Sequence, residues 1–251
     1  MSKTSSLPVI SAVIPVKSNL SGLKRTVLAL HALDPKNIEI IIIDGGGCPE
    51  TKAWLIQHAS MVHHMRSMPD RGIYDAMNYG KSCATAEWVW FVGAGDLPLE
   101  SAWKSWLDAP PDPSAASIHI WGVAMDEHRE SGVPAAYPAR WDDSMHWRNT
   151  THHQGVVYSR ALLHANEFDI RYRILADYAL HLNLLKAGCT VELHSDEWAQ
   201  VKSGGASRQF NAALYWEEWR MKRTVLQGWK KWVQPFWLLV KYAKKQLPLS
   251  H

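Results

Sequence analysis

Two carboxylates in this 251-residue chain stand where apolar runs give out. Asp44 closes Ile38-Glu-Ile-Ile-Ile-Ile-Asp44 and is followed by Gly45, Gly46 and Gly47, while Asp96 ends the turn Gly93-Ala-Gly95-Asp96 after Trp88-Val-Trp-Phe-Val92. A carboxylate at a strand end can accept a hydrogen bond from a nucleobase N–H, and one in a glycine-flanked turn can ligate a hard cation such as Mg²⁺ or Mn²⁺. Aspartate in such places also serves as an ordinary turn or cap residue. Two of them, in order along one half of the chain, are a stronger pointer to a binding site than either alone.

The elements that must hold these acids alternate. Val9 to Val16 is a short β-branched strand, and Ser18 and Asn19 offer caps for a helix running to about Leu33. Ile38 to Asp44 suits a parallel strand buried on both faces. A short strand near Met61 to Met65, a helix from about Gly72 to Ala84 and the strand Trp88 to Val92 complete the series. This predicts an α/β fold with an open, mostly parallel sheet and helices on both faces, whose ligands sit at the carboxyl ends of the strands. In the second half, Ser117 to Met125, Gly155 to Ser159 and Thr190 to Leu193 read as strands, and Ala176 to Ala187 as a helix closed by Gly188. Asp177 falls in the first turn of that helix, where the macrodipole favours an ionised carboxylate. Residues 108 to 115 and 131 to 150 read as long loops.

Val13-Ile-Pro-Val-Lys-Ser-Asn19, Ile41-Ile-Ile-Asp-Gly-Gly-Gly47, Pro69-Asp-Arg-Gly-Ile-Tyr-Asp-Ala-Met-Asn-Tyr-Gly80, Ala84-Thr-Ala-Glu-Trp-Val-Trp-Phe-Val-Gly-Ala-Gly-Asp96 and Leu175-Ala-Asp-Tyr-Ala-Leu180 together resemble family 2 glycosyltransferases of the GT-A, Rossmann-like fold. The resemblance covers about residues 9 to 207 and is nearest to the branch that builds colanic-acid-like exopolysaccharide. It implies that Asp44 contacts the donor base and that Pro15 and Val16 line the nucleotide pocket. Asp70, Arg71, Asp75 and Asn78 would surround the ribose and diphosphate. Gly95 and Asp96 would lie on the donor side, with Asp96 holding Mn²⁺ or Mg²⁺, and Asp177 would be the catalytic base. His153 and Gln154 resemble a pair on the acceptor side, and Lys202-Ser-Gly-Gly-Ala-Ser207 a flexible loop, with Lys202 or Arg208 adding charge. The chain departs from the family twice: Gly47 and Cys48 occupy a stretch that carries a second acid in relatives, and Ala94 replaces the first acid of the Asp-x-Asp element.

At 47% hydrophobic and 20% charged residues the chain is globular rather than disordered. Three cysteines with no paired spacing predict a reducing cytoplasm, and Pro8, Ser11 and Pro15 interrupt the N-terminal apolar stretch that a signal peptide would need. The net charge of +3 is uneven, for beyond Glu218 there is no acid, whereas Arg220, Lys222, Arg223, Lys230, Lys231, Lys241, Lys244 and Lys245 are basic. The expected organisation is a catalytic domain over 1–214, with a nucleotide-sugar half to about 100 and an acceptor half beyond it. A basic, tryptophan-rich tail follows over 215–251, divided into two helices at Pro235. Such a tail suits the inner face of the plasma membrane, where Lys meets anionic phosphates, or packing of one face on the catalytic domain. Nucleic-acid binding has charge in its favour but no recognition motif. The resemblance thus implies a nucleotide-sugar donor, UDP- or GDP-linked, and a lipid-linked saccharide acceptor. The rival readings are a sugar nucleotidyltransferase, which would want a glycine-rich loop absent from Val13 to Leu20, and a non-catalytic relative acting as a scaffold.

Overall fold

A computed structural model of the chain describes residues 7–126, 134–202 and 211–246. Its elements in order are β1 (Ile10–Val16), α1 (Leu20–Leu33), β2 (Ile38–Asp44), α2 (Pro49–Gln57), β3 (His64–Ser67), α3 (Ile73–Cys83), β4 (Trp88–Phe91), β5 (Leu97–Pro98), α4 (Glu100–Asp108), β6 (Ile118–Met125), β7 (Ala136–Tyr137), β8 (Val156–Ser159), α5 (Arg160–Ala165), α6 (Ala176–Ala187), β9 (Val191–Val201), α7 (Ala212–Val225) and α8 (Gly228–Gln246). One open sheet runs β3-β2-β1-β4-β8-β6-β9-β5, with β7 beside β6. β1, β2, β3 and β4 are mutually parallel, so the residues after them gather at one edge. Antiparallel β8 then enters between β4 and β6, and β6 and β9 run parallel again.

Alternation along buried strands sends side chains into two cores. Ile10, Ala12 and Ile14 of β1 meet α1, α2 and α4, whereas Val13 faces α3 and α6 on the other side. The first core is built largely of indole: Trp103 stacks on Trp198 at 4.3 Å, Trp90 meets Trp103 edge-on at 5.1 Å, and Trp106 meets Trp121 at 5.2 Å. These tryptophans, silent in the sequence, fill the core between the sheet and α4. The sequence also understates β9, which continues past Leu193 to Val201, because its first half is exposed and lacks a periodic apolar signal.

The tail differs from expectation in two ways. Pro235 does not divide it: α8 runs through the proline, and the break falls at Leu226–Gln227, before Gly228 at φ +61°. Pro235 is exposed, so the carbonyl it leaves unpaired can take water rather than break the helix. Secondly, α7 begins ahead of position 215 and is woven into the body. Leu214 and Met221 are buried, and the Glu217 carboxylate accepts from the backbone N–H groups of Arg173, Ile174 and Leu175 at 2.9, 2.7 and 2.9 Å, immediately before α6. Among the described residues no helix is long and apolar enough to cross a membrane.

Candidate active site

Asp44 ends β2 in register with Val16 of β1, and Pro15 sits one step back against Ile43. Its carboxylate is buried and accepts from Ser67 Oγ at 2.7 Å and Gly46 N–H at 3.2 Å. The neighbouring loop carries Asp70, which accepts from Gly72 N–H, and Arg71, whose guanidinium pairs with Asp75 at 2.8 Å. Asp70, Arg71, Asp75 and Asn78 line one open surface groove with Arg66 and Arg171. Asn78 also braces the chain: its amide donates to Phe168 C=O at 2.8 Å and accepts from Phe168 N–H at 3.0 Å, which pins the 166–170 segment to α3.

The Asp96 turn is held by α1. Thr26 Oγ donates to Asp96 C=O at 2.8 Å and accepts from Gly95 N–H at 2.9 Å, and Asn19 donates to Ala94 C=O at 2.8 Å. Gly22 allows this approach, because a Cβ there would lie 2.6 Å from Ala94 C=O. Gly95 adopts φ +116°, a conformation that favours glycine. The Asp96 carboxylate accepts from Lys202 N–H at 2.9 Å and Gly93 N–H at 3.2 Å. Burial pushes its acid above the ordinary range, against those backbone donors, the charge of His153 and a hydrogen bond from the Gln154 side chain. Lys202 thus contributes by its backbone, whereas Arg208 and the glycines of its loop lie outside the described residues.

Asp177, in the first turn of α6, is almost fully buried. One oxygen accepts from Tyr74 Oη at 3.0 Å and Tyr178 N–H at 2.8 Å; the other faces His153 Nδ1 at 3.1 Å. Burial works to raise this acid, but the hydrogen bond and charge of His153, the charge of His181 and the Tyr178 N–H outweigh it and hold it below the ordinary range. Asp177 is therefore ionised at neutral pH. His153, in the turn before β8, meets Asp177 at 3.1 Å, and its charge also acts on Asp96.

The sequence alone assigned no role to Tyr74 or His181. Tyr74 lies inside the Gly72-Ile-Tyr-Asp motif, and His181 stands four residues after Asp177 on the same helix face, a spacing that could have found it. His181 is fully buried beside Tyr158 Oη at 2.6 Å, and burial lowers its pKa to about 4. The native state thus refuses a proton that the unfolded chain accepts below about 6.5. Stability is full above that pH and falls as pH drops towards 4, by on the order of 3 kcal/mol from this group. Urea midpoints measured across that window in the wild type and in His181→Phe check it, the variant showing the shallower decline.

A divalent cation is compatible with Asp96, although the protein supplies little of its shell. Among the described residues Asp96 belongs to no cluster of three ligating side chains, and Ala94 offers none. A hard cation bound by one carboxylate needs its remaining oxygens from water and substrate phosphates, which is a common Mg²⁺ arrangement. The raised acid of Asp96 fits that mode, since a cation would supply the countercharge its burial lacks.

A parallel sheet from β3 to β4, continued by antiparallel β8 and flanked by helices, is the layout of a GT-A glycosyltransferase fold, and solved structures agree. S. aureus TarS 1-349 superposes with a TM-score of 0.63 at 14% identity over 96% of this chain and 72% of that one. The mannosyltransferase PcManGT from Pyrobaculum calidifontis, solved with GDP-Man and Mn²⁺, gives 0.61 at 13% identity over 97% and 77%. TarS has also been solved with UDP and with UDP-GlcNAc. The Glycosyl transferase family 2 profile matches residues 11–175, and the chain belongs to that family and to its enzyme class, the glycosyltransferases. A PGL/p-HBAD biosynthesis glycosyltransferase of Mycobacterium tuberculosis is 25% identical over 182 residues, 70% of this chain and 69% of the relative. An uncharacterized glycosyltransferase of the same species is 36% identical over 132 residues, 48% and 47% of the two chains.

Proposed function

We propose that this protein transfers one sugar from a UDP- or GDP-sugar to a hydroxyl of a lipid-linked saccharide, with inversion at the anomeric carbon. The observation that carries this reading is Asp177, buried at the start of α6 and held by Tyr74 and His153, with the charge of His153 also acting on Asp96. Asp44, Pro15 and Val16 receive the nucleotide at the carboxyl edge of β1 and β2, with Asp70, Arg71 and Asp75 beside them. Asp96 would hold Mn²⁺ or Mg²⁺, an ion that would supply countercharge for the leaving diphosphate. Asp177, ionised and fixed by Tyr74 and His153, takes the proton of the attacking hydroxyl from the opposite face. Lys202, whose N–H holds Asp96, adds charge on the donor side.

The acceptor is a polyprenyl-diphosphate-linked saccharide of a surface or exopolysaccharide pathway, and the chain meets it at the inner face of the plasma membrane. The support is α8, which exposes Trp229, Trp232, Phe236 and Leu239 on one side. An exposed apolar stripe of this kind matches an interfacial helix. Trp232 is 81% and Phe236 72% exposed, so Trp232→Glu with Phe236→Glu leaves folding intact and weakens flotation with anionic liposomes about 10-fold or more. Unchanged flotation removes α8 as the anchor.

A thermal-shift panel of nucleotide sugars with Mn²⁺ tests the donor assignment, since a ligand specific to the native state raises its melting temperature. One nucleotide class should stabilise the wild type and lose its effect in Asp96→Asn. If no nucleotide sugar binds and no metal-dependent donor hydrolysis occurs, the transferase reading gives way to the scaffold.

A further inference from the structure

At the other end of β6 and β9 from Lys202, three potential metal ligands converge. His119 of β6 is opposite Glu192 of β9 in parallel register, and His194 follows Glu192 by two residues, which puts all three on one face of the sheet. His119 Nδ1 lies 3.1 Å from His194 Nε2 and 3.6 Å from a Glu192 oxygen; the second Glu192 oxygen is 4.0 Å from His194 Nε2. It is the group among the described residues in which three ligand atoms of this kind lie within 4.8 Å of one another.

We infer that His119, His194 and Glu192 form a binding site for a zinc-class divalent ion, separate from the sugar-transfer centre. Tetrahedral geometry with Zn–N bonds of about 2.0–2.1 Å sets the two nitrogens about 3.3 Å apart, close to the spacing already present. Two imidazoles and one carboxylate satisfy three positions and leave the fourth to water on the exposed Glu192 side, a donor set that suits Zn²⁺ better than the oxygen-seeking Mg²⁺ or Mn²⁺.

The surroundings fix the ligands before any ion arrives. His194 stacks on Trp121 with ring centroids 4.0 Å apart and planes 7° from parallel, while His119 stands edge-on to Trp88 and Trp106, each at 5.0 Å. Without an ion, the two rings share one proton between Nδ1 and Nε2, and His119 Nε2 is buried with no hydrogen-bond partner. Ligation through Nδ1 would set a single tautomer, with the His119 proton on Nε2. The register between β6 and β9 shifts just after Ile120, so the ion would clamp the pair at its irregular point.

Untagged protein titrated with Co²⁺ as a zinc surrogate should take up one equivalent with the intense visible bands of four-coordinate cobalt, and Zn²⁺ should displace it and raise the melting temperature. His194→Ala and Glu192→Gln change exposed or half-exposed side chains and should weaken uptake at least 10-fold while leaving apo stability near wild type. Asp96→Asn should retain the cobalt spectrum, and His194→Ala should retain nucleotide-sugar binding with Mn²⁺, which separates this site from the catalytic one. Absence of stoichiometric uptake, an unchanged spectrum in both ligand variants, or loss of the spectrum in Asp96→Asn overturns the assignment.

Discussion

Asp177→Asn lowers kcat by about two to four orders of magnitude while the nucleotide sugar binds as before. The exchange keeps the size of the side chain and an oxygen for Tyr74 and the Tyr178 N–H, so the first turn of α6 retains its contacts. What disappears is the negative charge facing His153 and the ability to take a proton. Because the proposed donor side is built from β1, β2 and the Asp96 turn, its affinity should be unaffected, and the loss should fall on kcat rather than on KM for the donor. Burial raises the acid of Asp96, whereas His153, His181 and the Tyr178 N–H outweigh burial and hold that of Asp177 low, so as pH falls activity fails first at Asp96, before Asp177 takes a proton. Steady-state kinetics with donor titration check both statements, and near-normal turnover in the variant removes Asp177 from the proton-accepting role.

The second large effect lies away from the chemistry. Lys222 of α7 is fully buried, pairs with Glu218 at 2.8 Å and donates to Trp147 C=O at 3.0 Å, and Lys241 of α8 reaches the same Glu218 at 2.8 Å. Glu218→Gln strands the Lys222 ammonium in a low-dielectric interior, a loss of about 3–5 kcal/mol. The melting temperature falls by roughly 10 °C for a chain of this size. Burial already lowers the Lys222 pKa to about 8, against the ordinary 10.5. Without Glu218 the amine sheds its proton more readily still, so the deficit of the variant relative to wild type is larger at pH 7 than at pH 9. Glu218→Gln with Lys222→Met removes the stranded charge and regains most of the stability. Calorimetry of the three proteins at both pH values decides, and a double variant no better than Glu218→Gln contradicts this account.

Those residues show where sequence reading succeeds and where it stops. β1 and β2 were legible because a strand buried on both faces is a continuous apolar run, and α1 because Asn19 caps it, its side chain accepting from Gly22 N–H. Asp96 could be picked out because its turn is local. The neighbour of β4 could not, since antiparallel β8 arrives from about 70 residues away and nothing near Trp88 encodes the pairing. Tyr74 reaches Asp177 across 103 positions, and Asn78 reaches Phe168 across 90, so the support of the site is written in contacts that no short motif contains. The α4 helix escaped notice for another reason. Its apolar face is Trp103 and Trp106, and a nine-residue element gives too few turns for periodicity to speak.

The family match ends at Leu175, at the threshold of α6, yet the protein has no seam there. Three amide N–H groups at that threshold are satisfied only by Glu217, more than 40 positions later. A piece trimmed to the matched segment would lose α6 and with it the proposed base Asp177, and one trimmed just after that helix would leave those amides without their carboxylate. The shortest fragment worth expressing therefore runs through Val225.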